Sequence, residues 1–271
     1  MKASFISLLG LSVLPFASLA QQLEDAHPPV LYRVGQLRAP LYRSAHDTTR
    51  QADLFLPSQS VASVVGEYSP RWAVAKREGF LYLVPTATLV NYDPADADPP
   101  PVDAATHRIS YQGVVQVPGV SQAELYRRAR AWVAQAYPQQ NANITHDDPA
   151  TGELHLQGAQ LVQVYQNFEG VPRGSYAGVV RHALTIYVKE GRYKFVLTDF
   201  VHDAQRAPGL RSGGPLEQKR ASLFGYGGLG SFQSWSELKT DALRHARSLV
   251  ASLELAMTQQ PRKLRSRASD F

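Results

Sequence analysis

Apolar residues recur along this chain first at short, strand-like intervals and later at helical ones, and the change falls at a proline-rich break. Between positions 28 and 91, five short apolar runs (31–34, 52–56, 61–65, 72–76 and 80–84) are separated by Pro57, Ser58, Ser69, Pro70 and Gly79. Strands at such spacing with turn residues between them predict a small all-β unit, a barrel or a sandwich. Residues 92–106, YDPADADPPPVDAAT, hold four prolines and four aspartates with little that could be buried, and predict an extended acidic linker.

Residues 107–258 carry longer patterns. Ile109, Tyr111, Val115 and Val117 share one face of a strand that ends at Pro118-Gly119. Ser121-x-x-Glu124 is a capping box, and Leu125, Ala129, Trp132 and Ala136 form one stripe of the helix it opens, which Pro138 stops. Strand runs follow at 153–157, 160–166, 178–189 and 192–201, the last two joined across Glu190-Gly191. A two-residue loop there sets Leu184, Ile186 and Val188 against Leu197, Phe195 and Tyr193 as the core face. Thr185, Tyr187, Lys194, Val196, Thr198 and Phe200 then point away from the helices. After a glycine-rich loop at 204–233, Ser234-x-x-Glu237 is a second capping box, and Leu238, Ala242, Leu249, Leu253 and Met257 line a closing helix. Strand, helix, four strands and helix, in that order, predict an α+β domain: an antiparallel sheet with two helices on one face and the other face open.

Composition adds an address. Lys2, the apolar run 5–19 and Ser18-Leu19-Ala20 have the form of a secretory signal peptide, residues 1–20, so a periplasmic or secreted protein cleaved near Ala20 is expected. The 271 residues hold 28 Lys and Arg against 23 Asp and Glu, a net +5 too small to call for a nucleic-acid partner. Cysteine is absent, which excludes disulfides and thiolate metal sites. Arg262, Lys263, Arg265 and Arg267 make the tail 259–271 basic, suited to peripheral contact with an anionic surface.

Two resemblances follow from particular residues. Leu41-Tyr42-Arg43, Leu54-Phe55-Leu56-Pro57, the run 61–66, Trp72-Ala73-Val74 and Gly79 through Val84 resemble, in their order, the bacterial SH3-like domain. The resemblance implies an SH3-like β-barrel over 28–91 that attaches to cell-wall or protein ligands, with Tyr42, Tyr68, Trp72 and Tyr82 as ligand-facing aromatics. Trp72 is also the natural plug of so small a core. Gly119-Val120-Ser121, Glu124-Leu125-Tyr126, Trp132, Asp148, Gly152-Glu153 and the run 186–193 resemble a bacterial domain of unknown function with a TBP-like fold, with Trp235-x-x-Leu238-Lys239 fitting its tail. That family has no established activity, so the resemblance implies a fold only.

Catalytic and cofactor motifs lack their contexts. Gly225, Gly227 and Gly230 fit G-x-G-x-x-G, but no strand leads in and no parallel unit surrounds them, so a flexible loop is expected. His146-Asp147-Asp148 and His202-Asp203 lack metal-ligand spacing, and the aspartates before Pro149 suit a turn. His182 is expected opposite Asp199 as a structural pair. No Gly-x-Ser-x-Gly elbow occurs. The expectation is a secreted envelope protein without a cofactor or metal, acting as a non-catalytic binding or scaffolding module for an envelope protein or cell-wall polymer. Its ligand-binding candidates are the four N-terminal aromatics with Tyr187, Lys194 and Phe200. The alternative is an envelope hydrolase whose groups assemble from distant loops; DNA binding rests on fold analogy alone and conflicts with export.

Overall fold

A computed structural model describes residues 29–137, 142–168, 171–205, 207–224 and 228–258; the expected signal peptide and basic tail lie outside them. In the N-terminal part, β1 (Val30–Arg33), β4 (Val61–Ser69), β5 (Trp72–Arg77) and β6 (Phe80–Pro85) form an antiparallel sheet in the order β1-β4-β5-β6. β2 (Ala39–Leu41) and β3 (Leu54–Leu56) make a two-stranded ribbon, bridged to β6 between Tyr42 and Leu83. The period-2 pattern turns Ala62, Val64, Ala73, Ala75, Tyr82 and Val84 inward onto Tyr32, Val34 and Leu41.

No closed barrel forms among the described residues, contrary to expectation. β2 and β3 span three residues each, too short to ladder along a free edge of the main sheet. Trp72 does not plug this core either. It is one residue out of phase with buried Ala73 and Ala75, so it faces outward, and Tyr82 occupies the interior instead.

The larger sheet contains β7 (Ser110–Gln116), β8 (Ala142–Asp148), β9 (Glu153–Phe168), β10 (Val171–Lys189), β11 (Arg192–Asp203) and the short β12 (Gly214–Pro215). All pairs are antiparallel in the order β8-β9-β10-β11, and β7 and β12 share the outer edge of β11 in tandem. Helices α1 (Gln122–Ala136) and α2 (Gly228–Thr258) cover one face. The β10–β11 hairpin has the anticipated register: Leu184 opposes Leu197, Ile186 opposes Phe195 and Val188 opposes Tyr193, all buried. Ser121 caps α1 by accepting from the Glu124 N–H at 3.3 Å. The Glu124 carboxylate binds Arg127 and Arg128 rather than reaching back, and these bonds hold it at about 2. Arg128 in turn donates to the Met257 carbonyl at 2.8 Å, satisfying the far end of α2.

Four expectations change. Residues 142–148 are a strand, with Asp148 at its end accepting from the Ala150 N–H in the expected turn. The runs 153–157 and 160–166 are one continuous strand. A Cβ on Gly158, between them, would stand 2.4 Å from His182 Nε2, so that glycine makes room and does not break the strand. The closing helix begins at Gly228, upstream of Ser234, and Glu237 accepts from Arg33 and Gln233, at 3.2 and 3.0 Å, instead of closing a capping box. Much of the glycine-rich segment is packed and not a free loop, since Leu216, Leu223 and Phe224 are in the core; Gly225 and Gly227 lie outside the described residues.

The acidic segment is not an extended spacer. Pro94–Ala97 forms a 3-10 turn capped by Asp93, and its carboxylates meet Arg244 and Arg247 on α2. The Asp96 side chain is fully buried, held by both guanidiniums and by the Tyr32 hydroxyl at 2.8 Å.

Candidate functional site

Alternation along β9, β10 and β11 leaves one face of the large sheet uncovered by helices. Three cross-strand rows define it: Gln157, Ala183 and Thr198; His155, Thr185 and Val196; Glu153, Tyr187 and Lys194. Tyr187 retains 37% exposure, its ring edge-on to His155 at 5.8 Å, and exposed Lys194 stands opposite it beside Val114 of β7. The structure thus brings Tyr187 and Lys194 together as anticipated.

It does not bring Phe200 to them. A register shift between Arg181 and Ala183 inserts one extra residue in β11, and downstream side chains change face. Phe200 is only 2% exposed and packs edge-on to Tyr111 in the core. Asp199 takes up the bulge with φ 59° and pairs with Arg108 at the rim, so the expected His182–Asp199 contact is absent. His182 points into the core, where its Nε2 lies 2.9 Å from the Tyr137 hydroxyl and its ring lies against Phe200.

Beside the bulge the open face sinks into a depression of about 620 Å³ rimmed by Asn143, Gln157, Arg181, Asp199 and Gln205. Arg181 is held there by Asp203 at 2.9 Å. The near edge of the depression, at Ala183, lies about 14 Å along the strand from Tyr187, at roughly 3.4 Å per residue. The spacing of Tyr187 and Lys194 on one face was legible from the alternating pattern. The depression was not, because it lies beside two register shifts, one between β10 and β11 and one between β9 and β10, that the alternating pattern does not announce.

His146 and His155 direct Nε2 toward the same Glu153 oxygen, at 3.9 and 3.7 Å, farther down the face. Among the described residues, no group of three or more His, Cys, Asp or Glu is arranged to hold a metal ion.

The N-terminal candidates divide. Tyr42 and Trp72 meet edge-on at 5.4 Å on the outer face, both half-buried, and Tyr68 is 59% exposed. Tyr82 is 8% exposed in the core and is unavailable to a ligand.

A second cavity, about 260 Å³, lies between the N-terminal sheet and α2, lined by Arg33, Gln36, Gln59, Glu237, Asp241 and Arg244. Its two walls are some 200 residues apart in the chain, so no local pattern marks it. Burial and the neighbouring Glu237 and Asp96 raise the Asp241 carboxyl above its ordinary value against the pull of Arg244. Burial pushes Asp93 upward, but bonds from the Ala95 N–H and Arg247 outweigh it and hold it below the usual carboxylate range.

Burial lowers His182 from 6.5 to about 4, with His245 adding repulsion, and burial lowers His202 as well. The unfolded imidazole therefore takes a proton in a window where the folded one does not, and stability falls as pH drops from about 6.5 to about 4. His182 alone is worth about 3 kcal/mol across that window. Urea unfolding at several pH values should show the decline, with the His182→Gln variant flatter by that amount. A parent curve level down to pH 4 would contradict the burial of both rings.

No curated protein matches this chain. Two crystal structures align with 59% of it, both at a TM-score of 0.42. One is a TBP-like protein from Parabacteroides distasonis ATCC 8503, 12% identical and covered over 98% of its length. The other is a DUF4468 family protein from Bacteroides ovatus ATCC 8483, 16% identical and covered over 94%. Residues 111–203, which run from β7 to the end of β11 and include the whole hairpin that bears the open face, match the family model of a domain of unknown function (DUF4468) with TBP-like fold.

Proposed function

We propose that the protein is a secreted, non-catalytic binding or scaffolding module of the bacterial envelope, and that its partner, an envelope protein or cell-wall polymer, docks on the open face of the TBP-like sheet. The observation that carries this reading is the face itself: a half-exposed tyrosine opposite a lysine and a depression of about 620 Å³, on a sheet whose other side is closed by two helices. An aromatic ring with a polar edge beside a cation is a recognition surface, whereas an idle sheet face is uniformly polar. The N-terminal unit, SH3-like in the order of its strands, adds the outward Tyr42–Trp72 pair as a second attachment point.

The test is retention of the mature chain on isolated envelope fractions. Tyr187→Ala combined with Lys194→Ala should abolish retention while shifting the thermal midpoint by no more than a few degrees, since partly exposed positions cost about 1 kcal/mol or less. A double variant retained like the parent places the ligand elsewhere.

One observation favours the hydrolase alternative. The cavity at the junction holds Glu237 and, one helical turn on, Asp241, whose carboxyl burial raises above its ordinary value, and a pair of carboxyl groups is what glycoside hydrolysis uses. Release of soluble sugar from purified cell wall, lost in Asp241→Asn, would favour it over binding alone.

A further inference from the structure

The depression on the open face has a floor of short side chains inside a rim of long polar ones. Ala159 on β9 stands opposite Arg181, and Ala183 on β10 stands opposite Gln157, so the two alanines are diagonal neighbours on one face. Gly158 and His182, the pair between them, belong to the core side. Two methyl groups where the surrounding positions carry long side chains leave the face hollow. Leu161, 63% exposed, stands opposite Val179 in the next row and continues the apolar floor.

The rim has hydrogen-bonding capacity without net charge. Gln157 stands opposite Asn143 of β8, and neither side-chain amide bonds to another described residue. Gln205 accepts from the Tyr176 hydroxyl at 3.4 Å, which brings a ring that is 42% exposed to the same rim. The charged groups come in neutral pairs. Arg181 donates Nε and Nη2 to Asp203 at 3.2 and 2.9 Å, and Asp199 pairs with Arg108.

We propose that the depression binds a neutral N-acetylated sugar of a glycan chain, its acetamido methyl over Ala159 and Ala183 and its amide paired with the side chains of Asn143 and Gln157. The inference rests on the sheet-face reading of the protein and names the chemistry of the polymer. A side-chain amide offers both a donor and an acceptor, as an acetamido group does, so the two can pair in both directions. A charged ligand would meet ion pairs that are already satisfied, whereas the hydroxyls of a neutral sugar can use the donors and acceptors those pairs leave over. A peptide adding as a strand needs an unpaired sheet edge, and this floor lies on the face of β9 and β10, which are laddered to each other.

NMR titration of the full chain with N,N′-diacetylchitobiose tests it, beside cellobiose, which has hydroxyls in place of the acetamido groups, and chitobiose, the deacetylated and cationic form. The diacetylated sugar should bind about tenfold more tightly than either analogue, since each lacks the amide pairing. Gln157→Ala, at an exposed position, should weaken it about fivefold. Ala159→Phe should abolish it by filling the floor, while an aromatic side chain at a half-exposed strand position keeps the thermal midpoint near that of the parent. Tyr187→Ala with Lys194→Ala should bind the disaccharide like the parent, because those positions lie about 14 Å away. Equal affinity for cellobiose, no response to any of the three sugars, or binding that survives Ala159→Phe in a folded variant would each overturn the proposal. If no sugar binds and the Tyr187→Ala/Lys194→Ala variant still loses retention on envelope fractions, the sheet-face reading stands and the sugar assignment alone falls.

Discussion

Asp96→Ala should destabilise the protein by about 3 kcal/mol and free the N-terminal unit from α2. The carboxylate is fully buried and gathers Arg244, Arg247 at 2.5 Å and the Tyr32 hydroxyl, which shares its single proton with the Asp93 carbonyl, also at 2.8 Å. Removing the anion takes away the partner that the two guanidiniums share, leaving Arg247 with Asp93 at 3.0 Å and Arg244 with Asp241 at 2.8 Å. Both keep about a quarter of their exposure, so water relieves part of the penalty and the lower end of the range for broken buried pairs applies. Limited proteolysis gives an independent readout. In the parent, cleavage between positions 92 and 106 should be suppressed, and in Asp96→Ala it should become the first cut, releasing two fragments. Parent-like protection in the variant would mean that the Arg33–Glu237 pair and apolar contacts suffice to hold the junction.

Gly178→Ala is expected to cost at least about 3 kcal/mol, combining left-handed strain with a clash that cannot relax. Gly178 sits at φ +99° in the register shift between β9 and β10, and a Cβ there would stand 2.1 Å from the Asp203 carbonyl oxygen and 2.6 Å from the Ala204 Cα. These are backbone atoms, so no rotamer change makes room. The same contact keeps β11 close while Asp203 turns to Arg181 at the rim of the depression, so the variant should also lose binding that depends on that rim. Gly66→Ala is the control: it lies in β4, with nothing within 4 Å of the added methyl, and should cost about 1 kcal/mol or less. Urea unfolding of the two variants separates them, and equal costs would show that the backbone at Gly178 is free to move.

What could be read from the order of residues was what neighbours in the chain enforce on one another. Period-2 alternation and the two-residue Glu190-Gly191 loop set the β10–β11 register, because a slip of one residue would expose Leu184, Ile186 and Val188 together. Ser121 announced α1, since an N-cap acts on backbone only three residues away. The stripe from Leu238 to Met257 placed the closing helix on the sheet for the same local reason. The hairpin register and the two helices of the TBP-like part were therefore legible, as was the pairing of Tyr187 with Lys194, whereas β8 and the unbroken course of β9 were not.

Where the outcome turned on groups distant in sequence, the local pattern misled. The acidic run at 92–106 looked solvated because its neutralising partners, Arg244 and Arg247, lie about 150 residues away. Ser234 and Glu237 spelled a helix start, yet Arg33 on another strand claims the carboxylate and the helix runs on past them. Phe200 and Asp199 changed roles because one inserted residue in β11 reverses which face a side chain takes, and a bulge is stabilised by packing on both sides, not by the residues within it. Chain order decides alternation, caps and turns, whose forces act within a few residues. Burial of charge, bulges and the meeting of the N-terminal sheet with α2 are decided by contacts that exist only once the whole chain has folded.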